Sequence, residues 1–541
     1  MEPVKVLLVG WDGAEPELIE PWVEQGKMPV LASLVKRGTL GRIRSTVPPV
    51  TPPAWTSMVT GVQPGRHGIY AFTRPGAENS AEVLVNAAER QAASVWQYLS
   101  AAGLGVGVFN LSLSYPPEPV SGFLLAGFDA PVFNASIAYP AGAFGVATRN
   151  ITGYTHWLAD AFGDSAYDHL LQEIHQQREM LYNLTREYPV EVLAANFNAL
   201  DHIHHAAWPV GLDAAQLVAQ GGTTVERMYQ AVDALLGELL EEYADEHTHV
   251  IVISDHGGGR MRGQVSMARA LEAGGFLVTR PRRRASLLLG LRRALWLTLP
   301  NSVRMRLWGM VGARFRMDMH RRVQQAVLSD VDWERTVAFP WGGPGFVQVN
   351  QRGRDPQGSV APEDAERVMG DLEAYLPTIR DPHTGGLVVG EILRGTEVYG
   401  KSAVGYAPDL IVDTVGEEYT LLPWWDGPED IVVNLESDGE KPKRRGQHRM
   451  WGMLATCGPA VKPGAVVPSM EMVDIAPALL YLAETPIPEG LDGQLKRELW
   501  DTGQEASQQA AAAFEAPVAA VPYTDEEQAA VEERLADLGY M

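Results

Sequence analysis

Short apolar runs rich in β-branched residues alternate along the chain with longer amphipathic stretches. The short runs predict buried strands at Val4–Val9, Gly105–Phe109, Val190–Phe197 and His249–Ser254. The longer stretches predict helices, such as those over Ala166–Arg186 and Thr223–Tyr243. Alternation of this kind is typical of the α/β class, in which helices cover both faces of a mostly parallel central sheet.

Acidic residues stand shortly after three of the four predicted strands. Asp12 follows the first run, Asp201 follows the third, and Asp255 with His256 follows the fourth. In an open parallel sheet the carboxyl ends of the strands meet at one edge, and ligands bind beyond that edge. We therefore expect the three acidic positions to converge, which is the first indication of a metal site.

The residue types at this edge suit a pair of divalent cations. Two cations about 4 Å apart can hold a nucleophile and neutralise the leaving oxygen of a phosphate ester. The chain offers candidate ligands in Asp12, Asp201, His205, Asp255, His256 and the later His448. Mixed carboxylate and imidazole ligation favours zinc, with manganese as the alternative, over calcium or magnesium.

The candidate ligands have competing interpretations when they are taken singly. Asp12 could equally cap a turn or a helix, and only its place in the set favours a metal ligand. Next to Asp201, the four-residue offset favours His205, while His204 stays an alternative on reach. His202 is expected outside the ligand shell.

Length and composition indicate a folded protein with a net negative charge. The 541 residues are 46% hydrophobic, which is enough for one large core with insertions, and the formal net charge is -23. General nucleic-acid binders neutralise phosphates with a surplus of lysine and arginine, so this balance argues against that class. We expect a small-molecule partner instead of a nucleic acid.

Cysteine content and hydropathy indicate a reducing compartment. Cys457 is the single cysteine, so no intramolecular disulfide can form. The apolar run Val4–Val9 lacks the cationic region and the cleavage site of a signal peptide, and no stretch reaches the roughly 20 apolar residues that span a bilayer. A cytoplasmic location is therefore predicted.

A catalytic core interrupted by one insertion is predicted. Its parts are a first core segment at 1–256, an inserted arginine-rich cap or lid at 257–340, a second core segment with His448 at 341–503, and a linker with a C-terminal helix at 504–541. Runs near 337–350 and 408–413 predict a return to the central sheet. Thr524 with Glu527 forms a capping-box pattern at the start of the last helix.

The predicted cap stands out by its charge. Ten arginines and no acidic residue lie between residues 273 and 317. The favoured interpretation is a lid helix packed on the protein's own core, with its arginines paired to carboxylates. Peripheral membrane contact through 280–317 and attraction of an anionic substrate are the alternatives.

Seven short motifs follow one another along the chain. They are Val9–Gly13, Thr51–Thr56 leading to Thr60-Gly61, His67–Ile69, Asp201–His205, Ser254–Gly257, Gly446–Arg449 and Asp474–Pro477. Their order and spread, from about residue 4 to 496, resemble the type I phosphodiesterase and nucleotide pyrophosphatase family of the alkaline phosphatase superfamily. Sulfatases of that superfamily need a cysteine or serine at the nucleophile, where this chain has Thr51.

The resemblance implies an alkaline phosphatase-like fold and a role for each matching residue. One metal would be held by Asp201, His205 and His448, and the other by Asp12, Asp255 and His256. Thr51 would be the covalent nucleophile beside the second metal, although Thr46, Thr56, Ser57 and Thr60 compete on residue type alone. Backbone N–H groups would bind substrate oxygens if Thr51 opens a helix.

The expected activity is hydrolysis of a small phosphate ester. Diesterase is favoured by the resemblance, and a monoesterase with the same site is the first alternative, because the metal pair performs nearly the same chemistry on both substrates. Pro52, Pro53 and Ala54 stand in the stretch after Thr51, where nucleotide-specialised members carry an asparagine. A metal-stabilised protein that binds membranes or a partner through its arginine-rich lid is the alternative from another class.

Overall fold

The structure is a computed structural model that describes most of the chain. The described residues are 3–76, 82–154, 163–280, 328–342, 345–424, 430–436, 445–510, 523–524, 527–528, 530–532 and 535. Of the ten arginines between residues 273 and 317, all except Arg280 fall within 281–327, outside the described residues. The lid helix, its membrane contact and the cap's extent of 257–340 therefore stay predictions.

Eight strands form the central sheet. Their spatial order is Gly38–Arg44, Trp451–Cys457, His249–Ile253, Val6–Trp11, Val192–Phe197, Val106–Leu111, Gly122–Ala126 and Ala138–Tyr139. The five strands from His249–Ile253 to Gly122–Ala126 are parallel, and the remaining strands pair antiparallel at the two edges. The predicted α/β class with a mostly parallel sheet is confirmed, and all four predicted strands are present within two residues at each end.

The inner strands are buried on both faces because their runs of valine, leucine and isoleucine continue without polar alternation. Every residue of Val6–Trp11, Val192–Phe197 and His249–Ile253 is buried. The α-helices of the described residues span Pro16–Glu24, Pro29–Arg37, Thr51–Thr60, Pro64–His67, Val95–Ala101, Gly142–Ala147, Asp164–Glu187, Ala199–Ala207, Ala214–Gln220, Thr224–Tyr243, Met267–Ala273, Ala365–Tyr375, Gly395–Val398 and Ile475–Leu482. None of them is both long enough and apolar enough to cross a bilayer.

A second hydrophobic core, which we call the second core, is formed mostly by the chain segment that follows the strand His249–Ile253 and precedes the strand Trp451–Cys457 in sequence. Its buried residues lie between Val265 and Val432 in sequence. Tyr70 and Ala71, from an earlier part of the chain, also pack in it. It contains a four-stranded sheet, ordered Ala338–Pro340, Phe346–Val349, Leu410–Thr414 and Val389–Arg394, and a three-stranded sheet, ordered Tyr419–Leu422, Gly263–Ser266 and Val432–Asn434.

The predicted return of the chain to the central sheet at 337–350 and 408–413 is wrong. Both runs form strands, but in the separate four-stranded sheet of the second core. Local hydrophobicity predicts that a strand forms, whereas the partner of that strand depends on tertiary contacts. The strand that does rejoin the central sheet is Trp451–Cys457.

A buried carboxylate, Asp381, stabilises the second core. It accepts hydrogen bonds from Tyr419 Oη at 2.6 Å, Asn434 Nδ2 at 2.7 Å, and the N–H groups of His383 and Thr384 at 2.8 and 2.9 Å. Burial by itself raises the pKa of Asp381, but these hydrogen bonds outweigh it and lower the pKa to about 2. The folded state therefore favours the ionised form.

We expect Asp381→Ala to lower the free energy of unfolding by about 2–4 kcal/mol at neutral pH. Because the folded pKa lies below the ordinary one, this stabilisation is present above about pH 4 and is lost as pH falls towards 2. Urea unfolding at pH 7 and at lower pH measures both effects, with Asp371→Ala, at an exposed ion pair, as the control. Equal stability of Asp381→Ala and wild type at pH 7 would contradict the assignment.

Candidate metal centre

The carboxyl edge of the central sheet brings the three predicted acidic residues together. Asp12 follows the strand Val6–Trp11, and its carbonyl oxygen accepts the N–H of Asp201 at 3.0 Å. The N–H of Gly13 donates to Asp255 Oδ1 at 3.2 Å. Gly13 has φ +74°, and a Cβ there would lie 2.8 Å from the Cα of Asp201, so only glycine allows this approach.

The first cluster joins Asp201, His205 and His448. Asp201 and His205 lie one turn apart on the helix Ala199–Ala207, and Asp201 Oδ1 is 3.2 Å from His205 Nε2. His448 Nε2 lies 3.4 Å from the same oxygen and 3.2 Å from His205 Nε2. Three potential ligand atoms thus face one point.

The second cluster joins Asp12, Asp255 and His256, all fully buried. His256 Nε2 is 3.4 Å from Asp255 Oδ2 and 3.7 Å from Asp12 Oδ1. The rings of His256 and His448 stack with centroids 3.8 Å apart, so the two clusters adjoin. In each cluster the ligand atoms lie within 4.8 Å of one another, as a shared metal ion requires.

His448 reaches the site through a short antiparallel pairing. Its strand, Gly446–Arg449, pairs with Gly257–Arg260, and His448 stands opposite Gly258. Gly258 lacks a side chain for a steric reason, since a Cβ would lie 2.1 Å from His204 Nδ1. The chain therefore crosses the whole second core before this strand places His448 beside His256.

All three imidazoles are held by backbone carbonyls at Nδ1. His205 Nδ1 lies 3.0 Å from Gly446 O, His256 Nδ1 lies 2.9 Å from Gly257 O, and His448 Nδ1 lies 2.9 Å from Pro49 O. A carbonyl can only accept, so each Nδ1 carries the hydrogen and each Nε2 presents a lone pair. Metal-binding histidines are commonly oriented in this way.

The charges of the carboxylates oppose one another in the absence of a cation. Burial raises the pKa of Asp12 well above its ordinary value, and the charges of Asp255 and Asp201 raise it further. Burial also raises the pKa of Asp255, again with a contribution from Asp201. For Asp201, burial acts in the same direction, but His205 and His448 outweigh it and hold the pKa well below its ordinary value.

Two buried oxygens test whether this donor set fits a metal ion. Asp12 Oδ1 and Asp255 Oδ2 accept no hydrogen bond from the described residues. A buried carboxylate oxygen without a donor is costly, and both oxygens face His256 Nε2. A divalent cation bound by these two oxygens and His256 Nε2 would remove the energetic cost of burying them. The donor set therefore fits a metal ion.

Thr51 is the first residue of the fully buried helix Thr51–Thr60. Its Oγ1 lies 3.2 Å from His256 Nε2, which places the hydroxyl beside the second cluster. Of the competing hydroxyls, Thr60 Oγ1 donates to Thr56 O and Ser57 Oγ pairs with His67 Nε2. Thr46 Oγ1 likewise donates to Pro48 O, so three of the four competing hydroxyls have partners within their own part of the chain.

Few backbone N–H groups at the start of this helix are available to a substrate, and their expected contact with substrate oxygens stays a prediction. Thr51 does open the helix, but Pro52 and Pro53 occupy its first turn and carry no N–H. The N–H of Ala54 donates to Val50 O at 3.2 Å. Within residues 51–54 only the N–H of Thr51 itself remains for a phosphoryl oxygen.

The neighbouring histidines lie apart from the two clusters. His204 Nε2 is 3.1 Å from Tyr229 Oη, and His202 packs edge-on against Phe128. Neither therefore replaces His205 beside Asp201 in this geometry. All six predicted ligands and Thr51 are brought together, while their roles stay predictions.

Two residues that the sequence did not identify as part of the site contact Asp12. Trp55 Nε1 donates to Asp12 Oδ2 at 3.0 Å, and Asn198 Nδ2 donates to the same oxygen at 2.9 Å. Trp55 lies one turn after Thr51, so the hydrogen bond joins the helix Thr51–Thr60 to the sheet. Asn198 directly follows the strand Val192–Phe197, and a polar residue at that position was the available signal.

A cavity of about 100 Å³ lies beside His448, between the main core and the second core. Pro49 and Gln447 line one side of it with His448, and Ile411 and Leu421 belong to the apolar part of the other side. Three carboxylates also line it, those of Glu391, Asp413 and Glu417. The cavity thus adjoins one of the six potential ligands, His448.

Two solved structures match the chain over most of its length. The crystal structure of phosphonoacetate hydrolase from Sinorhizobium meliloti 1021 in complex with phosphonoformate matches with a TM-score of 0.51 at 15% sequence identity, covering 89% of this chain and 96% of that one. Murine ectonucleotide pyrophosphatase/phosphodiesterase 5 matches with a TM-score of 0.48 at 12% identity, covering 92% of this chain and 100% of that one. No curated protein sequence matches significantly.

The fold shared with the first of these structures confirms the predicted alkaline phosphatase-like architecture. The model of the type I phosphodiesterase/nucleotide pyrophosphatase family matches residues 6–449, which include every residue of the two clusters and Thr51. That match extends over well more than half of the 541 residues. The chain therefore belongs to the type I phosphodiesterase/nucleotide pyrophosphatase family and is a phosphoester hydrolase of this metal-dependent kind.

Proposed function

We propose that the protein hydrolyses small phosphodiesters with Thr51 as covalent nucleophile and two divalent cations as cofactors. One cation is held by Asp201, His205 and His448, and the other by the cluster that contains His256. The observation that carries the proposal is the 3.2 Å contact between Thr51 Oγ1 and His256 Nε2, a potential ligand atom. Carboxylate and imidazole donors favour zinc, with manganese as the alternative.

The reaction would proceed by two displacements at phosphorus. Thr51 Oγ1 gives up its proton and forms a bond to phosphorus, while the bond from phosphorus to the first leaving oxygen breaks and that group departs as the alcohol with a proton. Water then attacks the resulting phosphothreonine, which keeps the second ester group; the bond to Oγ1 breaks, the phosphate monoester is released, and Thr51 regains a proton from the water. When bound, the cations would favour the ionised hydroxyl and neutralise charge on the phosphoryl and leaving oxygens.

The charges around the site favour a diester over a monoester. The two clusters contain three carboxylates, and the cavity beside His448 is lined by three more, those of Glu391, Asp413 and Glu417, against one arginine, Arg44. A monoester brings about two negative charges near three carboxylates, whereas a diester brings one. The singly charged diester is therefore repelled less by the carboxylates, and the cations have less repulsion to offset.

Release of nitrophenol separates the two activities. With metal-loaded protein, bis-nitrophenyl phosphate is expected to be hydrolysed at least about 10-fold more efficiently than nitrophenyl phosphate, in kcat/KM. The assay is run with zinc and with manganese after removal of bound metal by a chelator. Faster hydrolysis of the monoester would assign a monoesterase, and inertness towards both esters in protein that holds two metals would refute the proposal.

A further inference from the structure

The two oxygens of the Asp12 carboxylate have different surroundings. Oδ2 accepts two hydrogen bonds, from Trp55 Nε1 at 3.0 Å and from Asn198 Nδ2 at 2.9 Å. Oδ1 accepts none from the described residues and lies 3.7 Å from His256 Nε2. The hydrogen bonds thus hold one oxygen and leave the other facing the second cluster.

Asn198 is itself held by a second amide. Asn110 Nδ2 donates to Asn198 Oδ1 at 3.0 Å and to the carbonyl oxygen of Asn196 at 3.0 Å. Asn110, Asn198 and Asp12 are at most 5% exposed. They lie at the carboxyl ends of three neighbouring parallel strands, so the chain of hydrogen bonds runs across the edge of the sheet.

The direction of every hydrogen bond in this chain is determined. The backbone carbonyl oxygen of Asn196 can only accept, so Asn110 must turn its NH2 group towards it and towards Asn198. Asn198 must then present its carbonyl oxygen to Asn110 and its NH2 group to Asp12. Reversal of either amide would set two acceptors against each other in a buried site.

The backbone of Asn110 is adapted to this contact. Its φ is +57°, in the left-handed region that few residues other than glycine, asparagine and aspartate adopt. The residue ends the parallel pairing of its strand with Val192–Phe197, which stops at Phe109. This turn of the chain carries the Asn110 side chain across the strand end to Asn198.

We propose that Asn110 and Asn198 are positioning residues of the metal centre, which act in series to aim Asp12 Oδ1 at the cation held by Asp12, Asp255 and His256. The inference rests on the proposed function in its assignment of that cation. Asn198 acts on Asp12 directly, and Asn110 acts through Asn198 without touching a ligand.

The test is Asn110→Asp, which keeps the shape and the tolerance of positive φ but replaces the donor with an acceptor. Asn198 can then pair with position 110 only by turning its NH2 group away from Asp12, which sets its carbonyl oxygen against Asp12 Oδ2. Zinc titration of metal-free protein by calorimetry is expected to show about 10- to 100-fold weaker binding of one zinc ion and unchanged binding of the other. Unchanged affinity of both ions in folded Asn110→Asp would overturn the proposal.

A double-mutant cycle tests the order of the two residues. In an Asn198→Ala background, Asn110→Asp is expected to have no further effect on zinc affinity, because the group that transmits it is gone. Additive losses would show that Asn110 does not act through Asn198. If Asn110→Asp does not fold, Asn110→Gly keeps the backbone conformation, removes the donor, and is expected to weaken the same zinc ion several-fold.

Ser112→Ala is the matched control. Ser112 is 3% exposed, stands two residues after Asn110, and donates to Asp129, which lies outside both clusters. Its loss should leave both zinc affinities unchanged. Zinc binding that follows the expected pattern without any phosphodiester turnover would refute the proposed function alone, whereas normal turnover with unaltered zinc affinity in Asn110→Asp would refute the positioning role alone.

Discussion

Replacing Thr51 with alanine is expected to lower the turnover of bis-nitrophenyl phosphate by at least about 10³-fold while two metal ions stay bound. The change removes the hydroxyl that lies 3.2 Å from His256 Nε2 and leaves the side chains of all six potential ligands in place. Without that oxygen no phosphothreonine can form, so only direct attack by water remains. Steady-state rates and elemental analysis of the same samples measure both parts of the prediction.

Two variants in the same helix make this result specific. Thr51→Ser keeps a hydroxyl at the position and should retain turnover within about 10-fold of wild type. Thr60→Ala removes an equally buried hydroxyl that donates to Thr56 O, and it should keep nearly full activity. A large loss in Thr60→Ala together with an active Thr51→Ala would move the nucleophile to another residue.

The covalent intermediate offers an independent measurement. Acid quenching during turnover of bis-nitrophenyl phosphate should trap a nitrophenyl phosphoryl group on the peptide that contains Thr51, and this group should be absent from Thr51→Ala. The same group on a different residue would contradict the assignment even if Thr51→Ala were inactive.

Replacing Asp255 with asparagine is expected to weaken the binding of one metal ion by at least about 100-fold and to abolish most turnover. The substitution preserves size but removes the charge of Oδ2, which has no donor among the described residues and lies 3.4 Å from His256 Nε2. Metal titration by calorimetry, followed by rate measurements at saturating zinc, separates the loss of affinity from the loss of rate.

The metal-free form of this variant should not lose stability. Burial, together with the charge of Asp201, raises the pKa of Asp255, so ionised Asp255 destabilises the metal-free fold at neutral pH. Asparagine removes that charge, and the thermal midpoint of metal-free protein should stay equal or rise, while the increase on adding zinc should shrink. A clear fall in the midpoint of the metal-free form would indicate a structural carboxylate instead of a ligand.

Asp233→Asn is the control, and we expect it to lower stability without changing zinc affinity. Asp233 is also buried, but both of its oxygens accept backbone N–H groups, from Val30 at 3.0 Å and from Leu31 at 2.8 Å. An amide can accept only one of these hydrogen bonds, so we expect a loss of about 1–3 kcal/mol in stability. Zinc affinity should not change, because Asp233 lies outside both clusters.

Pattern in the sequence predicted the parts of the fold that depend on local composition. Continuous apolar runs such as Val192–Phe197 can only be strands covered on both faces, and the parallel order of such strands brings their carboxyl ends to one edge. Asp12, Asp201 and Asp255 could therefore be placed at that edge before any coordinates. The choice of His205 also follows from local geometry, since residues four apart share one face of a helix.

Contacts between residues that are far apart along the chain were determined by the tertiary structure alone. The strands near 337–350 and 408–413 were recognisable, but their pairing in a separate sheet depends on which apolar faces find each other in the folded protein. The chain of hydrogen bonds from Asn110 through Asn198 to Asp12 could not be predicted from the sequence either. Predicting hydrogen bonds between strand ends requires the order of the strands in the sheet. Sequence determined the strands and the kinds of ligand, since these depend on neighbours along the chain. Folding decided which strand ends and side chains meet, since that depends on packing between distant segments.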